Sequence, residues 1–123
     1  MISTGPDWRR PQVPLSARPE IVQTGMGEHY GPRTESFRFT DIWQLHLYFW
    51  RGVFRVGSEC FEVGPEIVSL LPPGPEVTWQ FPQGKCDHYF IHFRLTGKRR
   101  LKAIPTVIPV RSHYDLILSL IHI

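Results

Sequence analysis

The stretch Val53-Phe54-Arg55-Val56-Gly57-Ser58-Glu59-Cys60-Phe61-Glu62-Val63 constrains the fold more than any other part of this chain. Apolar residues alternate on both sides of Gly57-Ser58, a two-residue loop whose leading glycine suits a type II′ hairpin turn. Pairing across that loop sets Phe54 opposite Phe61 and Arg55 opposite Cys60. Phe54, Val56, Phe61 and Val63 then share one apolar face, as period-2 geometry requires.

The rest of the centre follows the same rhythm. Residues 67–71 form a continuous apolar run, the mark of a strand covered on both sides. Val77, Trp79 and Phe81 alternate with Thr78 and Gln80, which directs Trp79 inward on a half-buried strand. Residues 86–93 offer two faces, with Tyr89, Ile91 and Phe93 on one and Cys86, His88, Phe90 and His92 on the other. Residues 43–50 form a further strong strand with aromatics on both faces. Gly64-Pro65, Leu70-Leu71-Pro72-Pro73-Gly74-Pro75 and Pro82-Gln83-Gly84 read as the turns between them. Twelve prolines and ten glycines favour many short strands over long helices. The expected class is all-β, a sandwich or small barrel.

At 123 residues the chain has room for one core. Three segments are expected. Residues 1–19 carry Pro6, Pro11, Pro14 and Pro19, which argue against regular pairing and for an extended arm. Residues 20–110 form the barrel. Residues 111–123 begin a C-terminal helix, with Ser112 and Asp115 at its N-terminus. Its apolar residues Leu116, Ile117, Leu118, Leu120, Ile121 and Ile123 form a stripe too wide for one supporting surface. That helix is expected to continue in a longer protein and to pack against partner helices.

A net charge of +3 is too small to imply nucleic-acid binding. The run Lys98-Arg99-Arg100-Leu101-Lys102 reads as a solvated loop, or else as a contact with DNA phosphates or a neighbouring DNA-binding domain. Cys60 and Cys86 fit no metal-ligand spacing and read as small buried thiols. No apolar run is long enough to span a bilayer, so no membrane partner is expected. Asp7, Trp8, Arg9 and Arg10 interrupt any signal-peptide core, and a cytoplasmic location is expected.

Four pieces now fall in a telling order: Leu45-His46-Leu47-Tyr48-Phe49-Trp50-Arg51-Gly52, the hairpin, Gly64-Pro65 with Leu70-Leu71-Pro72-Pro73-Gly74, and Tyr89-Phe90-Ile91-His92-Phe93. Over residues 38–95 this pattern resembles the N-terminal cupin-like domain of AraC-type transcription regulators. The resemblance implies a jelly-roll barrel that binds a small-molecule effector, followed by helices that form a homodimer. It also implies contact with DNA only through a separate helix-turn-helix domain, which these residues do not include. By the same match, the positions that contact sugar in the family fall at Trp79, His88 and Phe90.

Beside that match stands the chemistry of the residues themselves. A flat indole packs against the apolar face of a pyranose, and imidazole or guanidinium groups hydrogen-bond its hydroxyls. The candidate ligand-binding set is therefore Trp79, His88, Phe90 and Trp43, with Arg38 at the barrel rim. Each has a plainer reading: core aromatics for Trp79 and Trp43, an ordinary strand histidine for His88. Metal-binding cupins carry a histidine after the Pro-Gly turn, where this chain has Val77, and Leu45 stands where their glutamate ligand would fall. His46 stands alone in the sequence. His88 and His92 share a strand face about 13 Å apart, too far for one tetrahedral ion. No metal, no other cofactor and no catalytic residue is expected. The expected function is effector sensing by a bacterial regulator, with a sugar-like molecule bound in a metal-free barrel. A cupin-type enzyme or a stand-alone carbohydrate-binding module is the alternative, and cupin catalysis would need a metal held by several histidines and a carboxylate.

Overall fold

A computed structural model describes residues 7–14, 18–95 and 101–109. The helix expected over 111–123 and the basic residues Lys98, Arg99 and Arg100 lie outside the described residues. Among the described residues eleven strands run in order: β1 Gln12–Pro14, β2 Pro19–Gly27, β3 Tyr30–Arg38, β4 Trp43–Tyr48, β5 Gly52–Val56, β6 Glu59–Val63, β7 Ile67–Leu71, β8 Glu76–Lys85, β9 His88–Leu95, β10 Leu101–Ala103 and β11 Val107–Pro109. A five-stranded sheet has the order β11-β7-β4-β9-β2, a four-stranded sheet the order β3-β8-β5-β6, and β1 pairs with β10. Every pairing is antiparallel. The fold is all-β and consistent with a jelly-roll-like barrel. No helix among the described residues is long and apolar enough to cross a membrane.

The hairpin sets the register of the four-stranded sheet. Phe54 pairs with Phe61 and Arg55 with Cys60, which corrects the expectation of two buried thiols: Cys60 falls on the outer face and is exposed, while Cys86 is buried. Gly57 has φ of +59° while Ser58 keeps a negative φ, the pattern of a type II′ turn. The Phe54 and Phe61 rings stack at 5.0 Å. Phe54, Val56, Phe61 and Val63 are buried, and with Val77, Trp79 and Phe81 of β8 they form most of the main core.

The five-stranded sheet closes over that core from the other side. Along β4, Gln44, His46 and Tyr48 point inward, while Leu45 and Leu47 join Val68, Tyr89, Ile91 and Ile108 in a second apolar cluster on the outer face. Tyr48 and Ser69 are both fully buried, and their hydroxyls hydrogen-bond at 2.6 Å. Burial pushes the Tyr48 phenol well above its usual pKa, with the Ser69 hydrogen bond opposing. This pair lets a polar contact sit in the core at little cost, since both groups are satisfied.

Two further expectations need correction. The stretch Pro82-Gln83-Gly84 does not end its strand, because β8 runs on to Lys85 and pairs with Tyr30 and Gly31. The register slips between Gly31 and Arg33, opposite Pro82. That irregularity removes a ladder position where proline has no N–H to give, so the strand survives its proline. The backbones come very close there: a Cβ on Gly31 would lie 1.9 Å from the Pro82 carbonyl oxygen.

The proline-rich arm is also paired where it is described. Gln12–Pro14 lies antiparallel to Leu101–Ala103. The Ile104 N–H donates to the Pro11 carbonyl at 3.1 Å, and the Thr106 N–H to the Arg9 carbonyl at 2.7 Å. The buried Thr106 hydroxyl donates to the Trp8 carbonyl. Prolines lack only the donor; their carbonyls, and those of their neighbours, still accept. Trp8 packs against the main core, and Arg9 meets Glu59 at 2.6 Å.

Candidate functional site

Cross-strand register assembles a cluster of imidazoles that linear spacing hides. β4 and β9 pair with His46 opposite Phe90, Gln44 opposite His92 and Tyr48 opposite His88. Side chains on one face of a sheet also reach their diagonal neighbours. His46 therefore stands between His88 and His92, with ring centroids 4.6 and 6.1 Å away. The reading of His46 as an isolated histidine is corrected: it is isolated in sequence and central in space.

A fourth imidazole comes from the turn between β2 and β3. His29 stacks on Phe81 at 4.4 Å and on His88 at 5.2 Å, with interplanar angles of 11° and 12°. Its Nδ1 lies 3.1 Å from Glu35 Oε2, and the other Glu35 oxygen lies 3.1 Å from Arg33. This column of rings needs a glycine beside it. Gly27 pairs with His88, and a Cβ there would lie 2.7 Å from His88 Cε1.

These rings surround a cavity of about 160 Å³. Trp79 forms part of its wall and lies 5.2 Å from His46. Phe90 lines it as well and packs against His92 at 4.6 Å. Phe37, Phe39 and Phe81 bring further aromatic surface, and Gln44 an amide. Among the described residues no Asp, Glu, Lys or Arg side chain lines the cavity.

Burial favours the neutral form of His46, His88 and His92. It holds His46 well below the usual histidine pKa, with repulsion from His88, His92 and His29 acting the same way. His88 is lowered to about 4, first by burial, then by His29 and His92, with Asp87 opposing. Burial lowers His92 too. Both ring nitrogens of His46 and Nδ1 of His88 are buried without a hydrogen-bond partner. A neutral imidazole presents one donor and one acceptor, and leaving them unsatisfied in a protein interior costs about 1–3 kcal/mol per group. Such groups are rare in native structures and call for an explanation, such as strain, a chemical role or a bound partner.

Among the described residues no group of three or more His, Cys, Asp or Glu side chains is arranged to hold a metal ion. Trp79, His88 and Phe90 come together in the cavity wall. Trp43 and Arg38 do not. Trp43 lies on the opposite face of β4, buried and stacked on Phe93 at 6.4 Å. Arg38 alternates with the cavity residue Phe37, so it points outward, 63% exposed and 3.9 Å from Glu76. Sequence reading missed His29, His46, Gln44 and His92 as cavity residues. The pairing of β4 with β9 would have revealed three of them; His29 sits in a turn and carries no periodic signal.

No protein-family model matches the chain, and comparison with curated proteins finds no match.

Proposed function

We propose that this domain is a ligand-sensing β-barrel that takes a small ring-shaped polar molecule into the imidazole-lined cavity. The observation that carries this reading is His46: it is only 4% exposed, yet neither ring nitrogen has a partner. A residue kept only for packing would be better replaced by an apolar ring. The cavity has room for one small ring, and its mixture of apolar rings with a few convergent polar atoms suits a ligand that needs orientation as well as burial.

The order of motifs shared with AraC-type regulators supports a wider role. In that reading, occupancy of the cavity biases a dimer and, through it, a separate DNA-binding domain. The ligand must then bind the two states of the dimer with different affinity, since a ligand indifferent to them shifts nothing.

The test is a panel of cyclic small molecules, both sugars and aromatics, titrated into the full 123-residue chain. Binding is read by tryptophan fluorescence and by thermal unfolding. Trp79→Ala and His46→Phe should each weaken the binding, the former by about 1–3 kcal/mol as stacked contact area is lost. Trp43→Phe should not. Saturable binding that survives both cavity substitutions in folded protein would place the site elsewhere.

A further inference from the structure

The cavity also limits what the ligand can be. Resting on the reading that it is a ligand site, we propose that its occupant is a neutral, planar, monocyclic aromatic molecule bearing a hydroxyl, of the phenol class, with the hydroxyl held between His46 and His88.

Size sets the first limit. A volume of about 160 Å³ matches the ~150 Å³ cavities that take up one benzene molecule. One six-membered ring with a small substituent fills it.

The wall sets the second limit. Nine of its eleven residues carry planar rings: five phenyl or indole groups and four imidazoles. Aromatic walls favour an aromatic guest through offset-stacked and edge-to-face contacts. A pyranose would bury several hydroxyls against this wall, and each one left without a partner carries a desolvation cost. The polar groups in the wall are few and set among rings: the imidazoles, three of whose nitrogens are orphaned on His46 and His88, and the Gln44 amide.

Charge sets the third. Among the described residues, the groups that face His46 and His88 come from three places. His92 comes from β9, and His29, with Glu35 behind it, from the β2–β3 turn. Tyr48, tied to Ser69, comes from β4, and Asp87 lies beside His88 before β9. None of these groups is a fixed cation, so a bound carboxylate or phosphate would find no counter-charge unless an imidazole took up a proton. A carboxylate offers only acceptors, and a neutral imidazole needs a donor as well as an acceptor opposite it. A hydroxyl has both. The two rings line the cavity with their orphaned nitrogens covered, so once the rings turn a hydroxyl donates to one nitrogen and accepts from the N–H of the neighbouring ring, whose centroid is 4.6 Å away. No proton has to move.

Calorimetric titration of the full chain with phenol, cyclohexanol, benzoate and methyl glucoside, from pH 6 to pH 8, tests the assignment. Phenol should bind saturably, with an affinity that does not change across this range. Cyclohexanol and methyl glucoside should bind more weakly. His46→Phe should weaken phenol by about tenfold or more, the worth of a lost hydrogen bond to a buried partner. Cooperative unfolding verifies that the variant is folded, and His88→Phe gives a second, independent reading.

Benzoate binding that strengthens as pH falls, with one proton taken up, would overturn the neutral-ligand assignment and keep the cavity as a site. Methyl glucoside binding more tightly than phenol would overturn the aromatic assignment alone. Loss of phenol binding in Trp43→Phe but not in His46→Phe would overturn the placement. Absence of binding by all four probes would overturn this assignment. The cavity reading itself falls only if the wider panel also fails, or if its ligands ignore the cavity substitutions.

Discussion

Phe54 and His46 both reach into the barrel interior, both are buried, and both touch the same indole: their ring centroids lie 4.7 and 5.2 Å from Trp79. Around Phe54 the hairpin and β8 supply hydrocarbon on all sides, and Val56, Val77 and Leu71 are essentially inaccessible. Around His46 the neighbours are imidazoles and a cavity, and three buried nitrogens lack partners. Among the described residues Trp50 Nε1 is the one such atom in the hydrocarbon core, so the orphaned atoms concentrate at the cavity end. Proteins keep such costly groups in a core where a function requires them, so the contrast separates the part that folds the domain from the part that gives it a use.

The largest effect should come from the hydrocarbon end. Phe54→Ala removes a fully buried ring from beneath Trp79 and Phe61 and should cost about 3–5 kcal/mol, read from urea unfolding. If the loss is near zero, the hairpin face is not the stabilising core, and the contrast fails.

Next is pH. The His88 pKa falls from 6.5 in the unfolded chain to about 4 in the folded one. As pH drops, the unfolded chain therefore binds the proton first. Stability is complete above the unfolded value and is lost as pH falls from 6.5 towards 4, by about 3 kcal/mol in all at 1.36 kcal/mol per unit. His46 acts in the same direction. Unfolding free energies measured at neutral and mildly acid pH should show this slope, and His88→Phe should flatten it. A slope unchanged by that substitution would mean that His88 titrates as an exposed group.

A smaller and opposite effect should follow from His46→Phe, which replaces an unsatisfied ring by an apolar one of similar shape. Stability should rise by about 1 kcal/mol while ligand binding is lost. A clear loss of stability would show that the imidazole is satisfied in solution and that the cavity end resembles the hydrocarbon end. Arg38→Ala should do least. Its ion pair with Glu76 is long and exposed, and the change should stay below about 0.5 kcal/mol with no effect on binding.

Much of the fold was legible because local chemistry enforces it. The glycine-led loop at Gly57-Ser58 and the alternation around Phe54 and Phe61 gave a register that the structure reproduces. The inward turn of Trp79 followed from the same period. The proline-rich arm was less legible, because proline removes a donor but leaves acceptors, and the strand that uses them, Leu101–Ala103, lies far away in sequence. The continuation of β8 past Pro82 was hidden for a similar reason: the compensating irregularity is on β3, at Gly31.

For the site, the division is sharper. Sequence alone determined that His88, Phe90 and His92 share one strand face, that Trp79 faces inward, and that a barrel would bring such faces together. It did not determine which residues meet inside. That depended on β4 lying beside β9 in the register that sets His46 opposite Phe90, and on a turn that lays His29 across His88 and Phe81. A strand's own period fixes which way a side chain points. Its partner is chosen only when distant strands pair, and the imidazole cluster is a property of that pairing.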